Sequence, residues 1–146
     1  MARELSEQYP VRPDRRRVMS LATLAASLLM ILSLAAGAQT SGTFTARVSK
    51  VIDGDTFTLS GESRRLRVWG LDAPEWNHPG GSAATARMRQ LIVGKTLTCA
   101  IVDIDRYGRL VVQCILPDGR DIAEEMIRSG IATEYCRYSR GYYGTC

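Results

Sequence analysis

Between residues 43 and 71, apolar and polar positions alternate, imperfectly, in three short runs divided by turn residues. TFTARVSKVI (43–52) is rich in β-branched side chains and stops at Asp53-Gly54. Asp55-Thr56-Phe57-Thr58-Leu59 follows. A run, an Asp-Gly and a second run together signal a hairpin. Ser60-Gly61-Glu62-Ser63 makes a second turn, and residues 64–71 a third strand. Three strands joined by tight turns predict an antiparallel meander. The period then changes. Past the polar loop WNHPGG (76–81), Ala84, Met88, Leu91 and Ile92 recur at helical spacing. Ser82 offers an N-cap hydroxyl, and Gly94 a stop. Residues 96–104 and 110–116 read as the fourth and fifth strands, and Pro117-Asp118-Gly119 turns the chain. Asp121 and Glu124 have the spacing of a capping box. Ile122, Met126 and Ile127 supply a buried stripe, and Gly130 closes the second helix. The order βββαββα is an α+β pattern. It fits a five-stranded barrel of the OB type, whose closure removes the edges an open sheet exposes.

The chain before this pattern has a different character. Residues 18–38, VMSLATLAASLLMILSLAAGA, carry no charge and follow Arg15-Arg16-Arg17. Ala36-Gly37-Ala38 matches a small-residue cleavage site ahead of Gln39. The basic run loosely resembles a twin-arginine signal. An uncharged stretch of this length also spans a bilayer as an uncleaved anchor. The expectation is a signal peptide or signal anchor over 1–38. It would be followed by one small domain, 39–146, that is periplasmic, secreted or held at a membrane by 18–38.

Charge and cysteines then narrow the picture. The chain is +4 overall, but the leader holds five of its 19 basic residues and three of its 15 acidic ones. That leaves 14 against 12, so a general affinity for polyanions is not implied and the placement of the arginines matters more. Cys99, Cys114, Cys136 and Cys146 all follow the leader. An even number in an exported domain points to disulfides. Of the three pairings, Cys99–Cys114 with Cys136–Cys146 is the local choice; four reduced core cysteines are the alternative. No Cys/His spacing indicates zinc, and His78, the sole histidine, reads as a surface residue.

Three segments carry more charge than a strand or turn requires. Asp53-Gly54-Asp55-Thr56 occupies the first hairpin, where Asp and Gly are also ordinary turn residues. Arg67 interrupts an apolar strand, where a charge is costly unless paired. Asp72 and Glu75 flank Pro74, which fixes a backbone angle and so the relative aim of the two carboxylates. Strict alternation puts Arg67 and Asp72 on opposite faces, so a shared site needs a bend, and Gly70 is the place for one. Asp105-Arg106-Tyr107-Gly108-Arg109 is the third segment, a Tyr-Gly turn with an arginine directly after it.

Taken in order, DGDT, R-x-x-x-x-D-A-P-E and D-R-Y-G-R around βββαββα resemble the staphylococcal nuclease (thermonuclease) family, over roughly residues 43–143. The resemblance implies calcium-dependent hydrolysis of phosphodiester bonds in DNA or RNA. By position it assigns Asp55, Asp72 and the Ala73 carbonyl to the metal, with Asp53 as a neighbouring acid. Glu75 falls on the general base, and Arg67 and Arg109 on the phosphate-binding arginines. Tyr135 and Tyr138, in a tail of tyrosines and arginines, are candidates for stacking on bases. Two carboxylates and one carbonyl are few for calcium, which takes about 6–8 oxygens, so waters and substrate phosphate complete the shell. A monomer is expected. The family normally continues into a third helix, whereas this sequence stops after GYYGTC. The alternatives are a nucleic-acid-binding barrel without catalysis and a truncated, inactive remnant.

Overall fold

The structure, a computed structural model, describes residues 42–146. The leader expected over 1–38 lies outside the described residues. Five strands close into a barrel: β1 (Thr43–Val51), β2 (Thr56–Leu59), β3 (Leu66–Val68), β5 (Thr96–Ile104) and β6 (Leu110–Ile115). Around the barrel the order is β1-β2-β3-β6-β5. All neighbours are antiparallel except β3 and β6, which run parallel. This is the five-stranded, closed α+β barrel that the sequence pattern predicts.

The expected third strand is where pattern and structure part. It breaks into β3 and the short β4 (Leu71–Asp72), separated by Trp69 and Gly70. Gly70 has φ of 69°, a left-handed conformation that glycine adopts without a steric penalty. The bend sends β4 out of the barrel to pair with β7 (Thr133–Glu134) in a separate two-stranded sheet. The bend anticipated at Gly70 is therefore present, and it splits the strand in two.

Helix α1 (Gly81–Ile92) buries Ala84, Met88, Leu91 and Ile92, the four residues its period selects. Its start differs from the expectation at Ser82. Gly80 is the N-cap with φ of 88°, no side chain caps the helix, and Ser82 is exposed. The reason is space. A Cβ on Gly81 would lie 1.9 Å from the Glu75 carbonyl oxygen, so the helix must begin on glycine against the preceding loop. Helix α2 (Ile122–Arg128) starts as predicted, with the Asp121 carboxylate accepting from the Ala123 and Glu124 amides. Glu124 does not complete the reciprocal box; its carboxylate pairs with Arg128 instead. A single turn, α3 (Cys136–Ser139), was not visible as a period in the tail. Both local disulfides, Cys99–Cys114 and Cys136–Cys146, are formed, and no cysteine is free among the described residues.

The barrel interior is apolar and close-packed. Phe57, Leu66, Met88, Ile92, Leu97, Val112, Ile122 and Met126 have no solvent exposure. Phe57 sits on β2, between the turn that carries Asp55 and the strand that carries Arg67. We expect Phe57→Ala to cost about 3–5 kcal/mol of stability, read from urea unfolding, because the cavity collapses only in part.

Candidate active site

One groove, of about 790 Å³, crosses the end of the barrel where β3 leaves it. Its wall includes Arg67, Asp72, Glu75, Arg109, Tyr135 and Tyr138. Six of the eight residues expected at a site from the sequence thus share one cleft, although they come from three separate stretches of chain. Asp55 and Ala73 are not on the wall. They stand directly behind it, Asp55 through its bond to Arg67 and Ala73 through its neighbour Asp72.

Arg67 is placed by pairing on both sides: it faces Thr56 on β2 and Val111 on β6. Its Nη1 meets the Asp55 Oδ2 at 2.6 Å, and its Nη2 donates to the Leu71 carbonyl at 3.2 Å. The charge that looked costly inside a strand is therefore paired. The other Asp55 oxygen accepts from the Thr56 hydroxyl at 2.8 Å. Burial pushes the Asp55 carboxyl above its ordinary value, with Asp53 adding to the rise and Arg67 opposing it. Asp53 anchors the loop by accepting from the Asp55 amide at 3.0 Å.

Gly54 fixes the approach of this loop to the Asp72-Ala73 stretch. A Cβ there would sit 2.7 Å from the Cβ of both Ala73 and Ala84. Gly54, the residue before Asp55, thus packs against Ala73 and Ala84 with small residues alone. Among the described residues, no three carboxylate, histidine or cysteine side chains gather as a metal cage. The donors that the resemblance assigns are two carboxylates and a carbonyl, all hard oxygens, and both Asp55 oxygens already have partners. They suit calcium in chemistry but leave much of its shell to solvent and substrate.

Arg109 is held by a residue that sequence reasoning did not single out. Asp105 accepts from the Arg109 Nε at 2.7 Å and amide at 3.0 Å, and from the Tyr107 amide at 2.9 Å. Burial opposes ionisation of Asp105, yet the bonds from Arg109 and Tyr107 outweigh it and hold the carboxyl below its usual range. One carboxylate therefore closes the turn and aims the guanidinium. The signal was there in the Asp-x-x-x-Arg spacing, which spans a tight turn. Arg106 and Arg109 both lie against the Tyr107 ring, at 4.7 Å and 5.5 Å from its centroid.

The tail makes the far wall. The Tyr135 amide donates to the Gly70 carbonyl at 2.8 Å, and the Tyr135 and Tyr138 rings meet edge to face at 4.7 Å. Behind them Glu134, 6% exposed, gathers the tail. It accepts from the Ser139 hydroxyl at 2.6 Å, the Tyr143 amide at 2.9 Å, and the Thr145 amide and hydroxyl at 2.8 and 2.9 Å. Burial acts against its charge, but these donors prevail and lower its pKa to about 2. Nothing in the sequence marked Glu134. His78 is exposed and is not part of the groove wall.

Comparison with known proteins identifies the family. The model of the staphylococcal nuclease homologue family matches residues 65–144, which is more than half of the chain. The chain belongs to the staphylococcal nuclease family. The match spans Arg67, Asp72, Ala73, Glu75, Arg109, Tyr135 and Tyr138; Asp55 precedes it. An uncharacterized endonuclease of Escherichia coli is 39% identical over 95 residues, covering 64% of this chain and 62% of that protein. The micrococcal nuclease of Shigella flexneri is 30% identical over 131 residues, 83% of this chain and 73% of its own. A probable endonuclease of Schizophyllum commune, LCL3, is 34% identical over 102 residues, 60% and 35% of the two chains. The chain therefore spans about three fifths of the length of the Escherichia coli relative.

Two measurements test this construction. Gly54→Ala should lose about 1–3 kcal/mol, because the added methyl overpacks against Ala73 and Ala84. The loss would be read from thermal or urea unfolding. For Glu134 the folded pKa lies below the ordinary 4.5, so its stabilisation is complete above about pH 4.5 and disappears as pH falls towards 2. Glu134→Gln should flatten stability against pH in that window and cost roughly 2 kcal/mol at neutral pH.

Proposed function

We propose that this member of the staphylococcal nuclease family is a calcium-dependent phosphodiesterase that cuts DNA or RNA internally. The observation that carries the reading is the gathering of Arg67, Asp72, Glu75 and Arg109 in one groove. Two guanidinium groups offer paired donors to phosphoryl oxygens. Charge grows on those oxygens as the bond to the leaving group breaks, so fixed donors favour the transition state over the ground state. Arg109 is preorganised for this role. Asp105 engages its Nε, its guanidinium lies against the Tyr107 ring, and the residue lines the groove. Glu75 is exposed and on the groove wall, where its carboxylate takes a proton from the attacking water. Asp55, Asp72 and the Ala73 carbonyl would hold a calcium ion, which supplies positive charge at the reacting phosphate when bound. Tyr135 and Tyr138 offer ring faces and edges to substrate bases.

Two disulfides within one small domain support folding in an oxidising compartment. Together with the uncharged run 18–38 they favour export, with the leader either removed or kept as an anchor.

The test is hydrolysis of single-stranded DNA and RNA by the purified chain, with calcium and with excess chelator. Chelator should abolish cleavage, and Glu75→Gln should lower kcat by about 10²–10⁴ with the circular dichroism unchanged. A folded wild type that binds single strands in calcium yet leaves them intact would replace the enzyme with a binding barrel.

A further inference from the structure

Trp76 is 72% exposed, the most exposed of the large apolar side chains among the described residues. Its ring has no aromatic or cationic partner among them. Such exposure usually accompanies a mobile loop, but here the backbone is fixed. A Cβ on Gly81 would fall 2.6 Å from the Glu75 carbonyl carbon and 2.8 Å from the Trp76 Cα, so the first turn of α1 is packed onto this peptide. The His78 amide donates to the Glu75 carbonyl at 2.9 Å, and the Gly81 amide to the His78 carbonyl at 3.0 Å. Pro74 holds the other side, against Gly80. An indole is thus presented to solvent from a rigid mount, one residue beyond Glu75 on the groove wall.

Rigidity matters because a fixed backbone leaves only the rotamers of the indole to be ordered on binding. Any base presents a face to an indole, so the contact tolerates sequence, but the base must be unstacked. The geometry points to Trp76 as a base-stacking subsite outside the groove, taking a nucleotide of a single strand that runs on past Glu75. This deepens the nuclease reading and rests on it for the position of the strand. It adds a contact to unpaired substrate, made by a residue with no part in the bond-breaking step. In duplex, the bases are sequestered by pairing and stacking, and the contact is lost.

Intrinsic fluorescence tests it on the full chain, in excess chelator so that no cleavage intervenes. The chain has two tryptophans, and Trp69 is buried against Tyr142 and Tyr143. Oligothymidylate should quench the exposed emission of wild type and leave the residual emission of Trp76→Ala unquenched. The variant should bind the oligonucleotide roughly 5- to 100-fold more weakly, with Trp76→Phe in between. With calcium, the loss should fall on KM for single strands rather than on kcat, and the single-strand over duplex preference should shrink. A wild type that is quenched but cleaves nothing would end the nuclease reading and leave the subsite standing. A wild type that cleaves, with equal quenching and equal KM in Trp76→Ala, would overturn the subsite.

Discussion

Strand β3 is three residues long, and the barrel closes through it. It pairs antiparallel with β2 on one side and parallel with β6 on the other. Its middle residue is Arg67, so the register of barrel closure is also the register of the site. On one side it sets the guanidinium beside the Asp55 loop. On the other it brings the turn before β6, with Arg109, to the same end of the barrel. The chain then leaves β3 at Gly70, and β4 carries Asp72 along the rim. Chemistry dispersed over more than fifty residues of sequence converges because one short strand has two partners.

The ion pair at this junction has two sides. Arg67 and Asp55 are both largely buried, and a buried pair balances attraction against lost hydration. Asp55 already uses one oxygen on Arg67 and the other on Thr56. A bound cation would have to share that carboxylate with the guanidinium. Capture of the proposed cation and release of Arg67 from Asp55 would therefore be linked in this arrangement.

Much of this was legible in the sequence, where local rules and the final packing agree. The helical faces at Ala84, Met88, Leu91 and Ile92 and at Ile122 and Met126 are fixed by period, and the Asp121 cap by chemistry at one position. The Gly70 bend followed from requiring Arg67 and Asp72 to share a site. What escaped had non-local causes. Ser82 looks like a cap, but the close approach of Gly81 to Glu75 moves the helix start back. Glu134 is an ordinary glutamate until a tail ten residues on folds over it. Trp76 reads as a loop aromatic until its backbone is seen to be clamped. Asp105 lay inside a motif already noticed, yet its role depends on the shape of the turn.

That role has an evolutionary consequence. Asp105 caps the turn amides and orients Arg109 with the same carboxylate. Replacing it by asparagine preserves much of the turn and removes the charge that steers the arginine. The shape of the turn and the aim of Arg109 therefore depend on a single side chain. In a lineage that abandons catalysis but keeps the barrel, Asp105 is free to drift to asparagine well before the turn itself decays. Arg109, left with only its contact to the Tyr107 ring, would follow.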